Sequence, residues 1–295
     1  MPLQRRAELI LLLVTMFWGS SFALVKTALE DSSTVLFLAL RFNLAVLTLL
    51  IFWRKPIADG ILSDKLGIKA GIAAGLCLAA GYLFQTAGLR HTTPSKSAFL
   101  TSSCVAMVPL LGAVVYRVVP PPAELVGVGM AFIGMGTLSW PQQGFDWNTG
   151  DLLTVCGAFA YSAQILVVGR YAARVNYRIL SLIQLATVAA IMLCCVWWAE
   201  PIVLRPSARL GFALVMTAFI CTAVSFAVQA WAQRHTTPTR TGLIFATEPV
   251  SAAIISYLVY GEVLTGLVLA GAGLILAGVL VVELKPARLD SHPLS

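Results

Sequence analysis

The pentapeptide RHTTP occurs twice in the chain, at residues 90–94 and again at residues 234–238. The two copies are 144 residues apart, close to half of the 295-residue length. The same offset superimposes downstream residues without a gap: Tyr116 on Tyr260, Gly127 on Gly271, Gly129 on Gly273 and Gly134 on Gly278. Because a chance pentapeptide would not keep its downstream glycines in register, the pattern predicts a duplicated unit, with halves at 1–146 and 147–295.

The composition is typical of a membrane protein. Hydrophobic residues make up 59% of the chain, charged residues make up 11%, and the mean hydropathy is +0.87. A soluble domain of this length could not bury so much apolar surface. The apolar residues fall in ten blocks, each long enough to cross a bilayer as a helix: 8–28, 34–53, 69–89, 97–116, 121–140, 151–169, 179–199, 210–233, 240–260 and 264–282. Since these runs are continuous rather than alternating, they predict an all-α integral membrane protein with ten transmembrane helices.

The distribution of basic residues predicts the topology. With the N-terminus in the cytoplasm, 14 of the 20 Lys and Arg residues fall on the cytoplasmic side, as the positive-inside rule requires. This bias explains the net charge of +7 better than a nucleic-acid partner does. Five helices per half is an odd number, so the second half must enter the membrane in the opposite sense. We therefore expect two inverted five-helix repeats with both termini in the cytoplasm.

Each RHTTP copy is expected to form a turn that begins a helix. The second threonine can cap the helix and the proline suits its first turn. Further along, the two helices carry proline at different positions of the repeat. Pro109 in the first helix aligns with Ala253, and Pro249 in the second helix aligns with Val105. The kinks of the two helices therefore need not be symmetric.

Four stretches resemble one transporter family. They are FWGSSFALVKTAL at 17–29, ALRFNLA at 39–45, SKSAFLTSSCVAMVPLLGAVV at 95–115 and TEPVSAAIISYLVYGE at 247–262. Each is similar to the EamA family of the drug/metabolite transporter superfamily, and the resemblance covers nearly the whole chain in order. It implies a ten-helix transporter of the bacterial inner (plasma) membrane with a central cavity, often an exporter of amino acids or other small metabolites.

Two charged residues lie far from either end of their predicted helices. Charge within a membrane is costly, so Arg41 and Glu248 stand out as candidates. Arg41 could attract a substrate carboxylate. Glu248, near the middle of its block and directly before Pro249, could bind a substrate ammonium or a coupling proton. Either residue could instead anchor the helix bundle, and the two could also pair with each other.

Other polar and aromatic residues recur at spacings that place them on one helix face. Thr222, Ser225 and Gln229 form one such stripe in the block 210–233. Amides would lack hydrogen bonds against lipid, so these faces should point inward, where they could equally join helices. The predicted substrate-binding set is Trp18, Ser21, Phe22, Arg41, Tyr82, Gln85, Thr101, Tyr161, Gln164, Gln229, Phe245 and Glu248.

These features predict a secondary transporter that exports small organic metabolites such as amino acids by alternating access. Its expected partners are a small-molecule substrate and the lipid bilayer, and a second copy of the chain is a further candidate. No GxxxxGK[ST] motif is present, so ATP is not expected as the direct energy source, and no cofactor or metal is expected. Drugs, nucleosides and other metabolites stay open as substrates. An intramembrane enzyme is disfavoured because HExxH, GxSxG and GxGD are absent, and a channel would show a selectivity filter.

Overall fold

The computed structural model describes residues 3–58, 63–117, 119–138, 147–260 and 265–284. Apart from one isolated bridge between Ser32 and Leu204, the regular elements in these ranges are helices. In chain order they are α1 (Leu3–Ala28), α2 (Thr34–Phe52), α3 (Arg54–Ala58), α4 (Lys65–Leu89), α5 (Pro94–Ser102), α6 (Cys104–Tyr116), α7 (Pro122–Leu138), α8 (Thr149–Tyr171), α9 (Tyr177–Cys195), α10 (Ala208–Ala218), a π-helical segment (Phe219–Val224), α11 (Ser225–Ala232), α12 (Pro238–Phe245), α13 (Glu248–Tyr260) and α14 (Gly266–Glu283).

Seven helical stretches in the described ranges are long and apolar enough to cross a membrane. They are Leu3–Ala28, Thr34–Phe52, Lys65–Leu89, Lys96–Tyr116, Thr149–Tyr171, Tyr177–Cys195 and Ala208–Ala232. Two shorter apolar helices, Pro122–Leu138 and Gly266–Val282, accompany them. The all-helical, membrane-spanning class agrees with the sequence, whereas the count of ten crossings, the side of the termini and the inverted arrangement stay predictions.

Two blocks predicted as single helices are interrupted at equivalent positions. The block 97–116 is divided at Ser103 into α5 and α6, and the block 240–260 is divided at Ala246 and Thr247 into α12 and α13. Ser103 Oγ donates to the carbonyl of Leu100 at 2.6 Å, and Thr247 Oγ1 donates to that of Ile244 at 2.7 Å. Such short-range hydroxyl bonds compete with the helical ladder. The interruptions are thus symmetric, 144 residues apart, although the prolines are not.

The RHTTP turns confirm their predicted role as helix starts. Thr93 Oγ1 accepts the backbone N–H of Lys96, and Thr237 Oγ1 accepts that of Arg240, both at 3.2 Å. The proline that follows each threonine occupies the first turn. At α4 the sequence placed the helix start at residue 69, but the helix begins at Lys65 because Asp64 caps it.

Glycines bring α7 and α14 into close contact. A Cβ atom on Gly134 would lie 2.8 Å from the carbonyl oxygen of Gly271, and one on Gly127 would lie 2.7 Å from that of Gly278. Small residues at such positions let helix backbones approach each other within a membrane. This close contact between α7 and α14 lies within one copy of the chain.

Candidate functional site

A cavity of about 70 Å³ lies between helices of both halves of the chain. Eleven of the twelve residues predicted to bind substrate line it: Trp18, Ser21, Phe22, Arg41, Tyr82, Gln85, Thr101, Tyr161, Gln164, Phe245 and Glu248. The structure therefore brings into one place residues that are spread over more than 200 positions of the sequence.

Arg41 presents a buried guanidinium group to this cavity. The residue, on α2, is 2% exposed. Its Nε donates to Thr222 Oγ1 at 2.8 Å and its Nη2 donates to the Tyr82 hydroxyl at 3.2 Å, while its Cζ lies 4.8 Å from the Tyr82 ring centroid. No carboxylate among the described residues forms an ion pair with it. Neutral groups thus hold the cation, which leaves it able to attract an anionic group.

Glu248 lies on the same cavity and is 6% exposed. The sequence placed it near the middle of a helix, but the interruption at Ala246 and Thr247 makes it the first residue of α13. Within the described part of the chain its carboxyl group forms no hydrogen bond and no ion pair. The Arg41–Glu248 pair that the sequence left open is therefore not formed.

Aromatic rings form the apolar wall of the cavity. The Trp18 ring lies 4.8 Å from that of Phe245 and 5.5 Å from that of Phe226, measured between centroids. Tyr82 packs edge-on against Tyr161 at 5.4 Å. Trp18 Nε1 donates to the backbone carbonyl of Cys221 at 2.7 Å, which fixes the plane of the indole. Such tilted and edge-on arrangements stabilise aromatic clusters beyond simple burial.

Amides and hydroxyls complete the polar wall. Tyr161 OH donates to Gln85 Oε1 at 2.9 Å, and Gln85 Nε2 donates to Thr101 Oγ1 at 2.8 Å. This chain links α8, α4 and α5, so the three helices hold one another's cavity-lining polar groups in place.

Gln229 is the predicted residue that does not line the cavity. It is buried behind Gln164, to whose Oε1 its Nε2 donates at 3.1 Å, and it also donates to Gln233 Oε1 at 3.1 Å. The stripe through residues 222, 225 and 229 assumed α-helical spacing. The π-helical segment includes Thr222 and ends directly before Ser225. Gln229 points inward and joins α11 to α8 through Gln164, which is the helix-joining role that the sequence left open for such amides.

The described residues contain no group of three or more His, Cys, Asp or Glu side chains that could hold a metal ion.

Comparison with known proteins identifies the family. The model of the EamA-like transporter family matches residues 5–140 and again residues 148–284. The chain belongs to the EamA-like transporter family. An uncharacterized transporter of Archaeoglobus fulgidus is 34% identical over 285 residues, which cover 95% of this chain and 86% of that protein. A Salmonella typhimurium protein named "Probable amino-acid metabolite efflux pump" is 24% identical over 304 residues, 95% of each chain.

The fold of this EamA-like transporter is also found in a solved crystal structure. The match covers 97% of this chain and 99% of the chain in that structure, with a TM-score of 0.78 and 19% sequence identity. At this identity the likeness shows a shared fold and nothing more about activity.

Several cavity residues of this EamA-like transporter were missed from the sequence. Phe226 and Cys104 line the cavity, as do Val25, Thr86, Leu89 and Ile165. The internal repeat carried a signal for two of them. Phe226 lies 144 residues after Tyr82, and Cys104 lies 144 residues before Glu248, so each is the repeat partner of a predicted residue.

Proposed function

We propose that this EamA-like transporter is a secondary active exporter of small zwitterionic metabolites such as amino acids. The observation that carries the proposal is that Arg41 and Glu248 line one cavity, while each lacks a partner of opposite charge among the described residues. A zwitterion supplies both missing charges, because its carboxylate suits the guanidinium and its ammonium suits the carboxyl group. Charged groups within a membrane bundle mark substrate and ion pathways.

The aromatic wall of the cavity favours a ligand with an apolar part. Trp18, Phe226 and Phe245 form a contiguous aromatic surface on one side of the cavity. An aliphatic or aromatic side chain would bury its surface there, whereas Gln85, Thr101 and Gln164 offer hydrogen bonds. The Salmonella relative, by its name, acts on amino-acid metabolites and exports them, which supports both the substrate class and the direction.

Alternating access accounts for transport without a nucleotide. In this proposal ten helices form two inverted repeats, with both termini in the cytoplasm of a bacterium and the cavity between the repeats in the inner membrane. The repeats rock about this cavity, so that it opens to one side of the membrane at a time. Glu248 is the candidate for proton coupling, since it is the cavity's acidic side chain and begins α13.

Nucleosides and cationic drugs are the alternative substrates within the same fold. An uncharged nucleoside would stack on the aromatic wall but would leave both Arg41 and Glu248 without a partner of opposite charge. A cationic drug would pair with Glu248 but would leave Arg41 without such a partner. Burying an unpaired charge costs free energy. The zwitterion therefore explains the lining better than either class does.

The test is a thermal-shift screen of the purified protein against amino acids, nucleosides, sugars, organic acids and cationic drugs. We expect stabilisation by amino acids, followed by saturable counterflow of a labelled hit in proteoliposomes. Counterflow separates a carrier from a channel, because only a carrier exchanges internal for external substrate at an accelerated rate. Stabilisation by nucleosides or drugs alone, or flux without saturation, would overturn the proposal.

A further inference from the structure

A π-helical segment interrupts the helix that faces both Trp18 and Arg41. It spans Phe219–Val224 and connects α10 to α11. Its widened register is visible in the side-chain hydrogen bonds. Thr222 Oγ1 donates to the carbonyl five residues earlier, that of Thr217, at 2.8 Å. In the preceding α-helix, Thr217 Oγ1 donates to a carbonyl four residues earlier, at 2.6 Å. Single π turns of this kind occur frequently at functional sites.

Two successive residues of this segment hold two cavity residues from the first half of the chain. The carbonyl of Cys221 accepts the indole N–H of Trp18 at 2.7 Å. The hydroxyl of Thr222 accepts Nε of Arg41 at 2.8 Å. Neither Cys221 nor Thr222 lines the cavity itself. The segment therefore acts on the cavity through Trp18 and Arg41.

The hydroxyl of Thr222 can act toward Arg41 only as an acceptor. A hydroxyl has one hydrogen to donate, and that of Thr222 is used on the Thr217 carbonyl. Its oxygen lone pairs therefore face the guanidinium, which has five N–H donors and no acceptor. Thr222 accepts the Nε–H of Arg41 and Tyr82 accepts one N–H of Nη2. Among the described residues the other N–H groups of Arg41 have no hydrogen-bond partner, so they are available to a ligand.

We infer that Thr222 is a positioning residue for carboxylate recognition. It fixes the orientation of the Arg41 guanidinium. The N–H groups of Arg41 that do not bond Thr222 or Tyr82 then donate to the carboxylate of a zwitterionic substrate. A planar guanidinium gains specificity from geometry, and its orientation is therefore part of the site. This inference rests on the proposed function, because it deepens the role of Arg41 in the same cavity.

The experiment compares binding of two ligand pairs by four forms of the full-length protein in detergent. The ligands are L-leucine and L-phenylalanine, each measured beside its own carboxamide, which keeps the ammonium but lacks the carboxylate. The proteins are the wild type, Thr222→Val, Thr222→Ser and Ser225→Ala. Valine keeps the shape of threonine but removes the acceptor. Ser225→Ala is the matched control, because Ser225 Oγ also donates to a carbonyl five residues earlier, that of Ile220, without contacting Arg41.

We expect Thr222→Val to weaken amino-acid binding about tenfold while carboxamide binding stays as in the wild type. Thr222→Ser restores the acceptor, so it should bind the amino acids and their carboxamides with wild-type affinity. Ser225→Ala should do the same. If Thr222 had a purely structural role, Thr222→Val would lower the affinity for the amino acids and for their carboxamides alike. That result would overturn the inference. Wild-type affinity of Thr222→Val for the amino acids would overturn it as well. Absence of amino-acid binding by the wild type would instead overturn the proposed function, and this inference with it.

Discussion

Arg240 forms a buried ion pair with Glu8, although the two residues are 232 positions apart in the sequence. Arg240 Nη1 lies 3.4 Å from Glu8 Oε1, and its Nε lies 3.2 Å from Glu124 Oε1. The repeat partner of Arg240 is Lys96, whose Nζ lies 2.6 Å from Asp151 Oδ2. Two residues after each RHTTP segment, a basic side chain thus lies against an acidic one on another helix.

The two repeat-related ion pairs differ in burial, so they should contribute different amounts to the free energy of unfolding. Arg240 and Glu8 are both nearly fully buried, whereas the Lys96 side chain is 26% exposed. Arg240→Gln would leave the two carboxyl groups of Glu8 and Glu124 buried without their cation, and we expect it to lower the free energy of unfolding by about 3 kcal/mol. Lys96→Gln should cost less, about 1 to 2 kcal/mol, because water reaches the lysine and because Thr92 Oγ1 and the Asn148 N–H still bond the buried Asp151 carboxylate. Denaturant titrations in detergent measure both, and equal losses would contradict this account.

A second stability prediction compares two glycines of α7. Gly134→Ala would place a methyl group 2.8 Å from the Gly271 carbonyl oxygen and 2.9 Å from the Ile275 backbone nitrogen. Since neither backbone atom can move aside without shifting α14, we expect a lower melting temperature. Gly136→Ala is the matched control, because no neighbouring atom of the residues that the structure describes lies within 4 Å of its added Cβ atom. Alanine should leave the stability there unchanged or raise it by up to about 1 kcal/mol. If both variants melt alike, close helix contact does not explain Gly134.

The sequence predicted most of the cavity lining because helical periodicity and the cost of buried polar groups act locally. Arg41, Gln85 and Glu248 had to face inward whatever their neighbours were. What local patterns could not provide is the rotation of one helix relative to the next. Phe226 is one of many apolar residues in its block, and its contacts with Trp18 and Tyr82 in the folded protein place it on the cavity wall.

Two backbone irregularities lie in the helices whose residues differ from the prediction. Gln229 bonds Gln164 and lies behind it instead of on the cavity, in the helix that the π-helical segment interrupts. The interruption before α13 places Glu248 at a helix start. At each irregularity a threonine hydroxyl bonds a backbone carbonyl, that of Thr222 in the first and that of Thr247 in the second. Threonine is common in regular helices too, so its presence in the sequence did not reveal which one would break the pattern.

The loop between α1 and α2 provides a prediction of pH dependence. Hydrogen bonds from Arg209 and from Ser207 hold the pKa of Asp31 below its ordinary value. A depressed pKa means that the ionised form is favoured in the folded state. This contribution to stability is therefore present above the pKa of the unfolded chain, about 4, and is lost as the pH falls below that value.

Asp31→Asn should accordingly lower the melting temperature at pH 7, and the difference from the wild type should shrink below about pH 4. Glu30→Gln is the matched control. Glu30 also binds Arg209, with 2.7 Å between Oε2 and Nη1, but its side chain is 59% exposed, so its removal should have little effect. A stability difference for Asp31→Asn that does not change between pH 7 and pH 3 would contradict the assignment to the ionised carboxylate.

The last prediction concerns Glu248→Gln, which removes the acidic group while keeping its size. We expect the variant to remain folded in detergent, because the described residues form no hydrogen bond or ion pair with this carboxyl group that the substitution could break. Amino-acid binding should weaken at least about tenfold, since the ligand's ammonium loses a charged partner, and transport in proteoliposomes should be lost.

Measuring binding and transport by Glu248→Gln in parallel separates the two roles of the residue. Loss of both assigns Glu248 to the ammonium group of the substrate. Retained binding with loss of uptake driven by a proton gradient, but with counterflow preserved, assigns it to the coupling proton, because exchange of substrate for substrate needs no net proton movement. Wild-type uptake would exclude an essential acidic group at this position. It would leave Arg41 as the cavity's only charge among the described residues, and would therefore favour an organic anion over a zwitterion as the substrate.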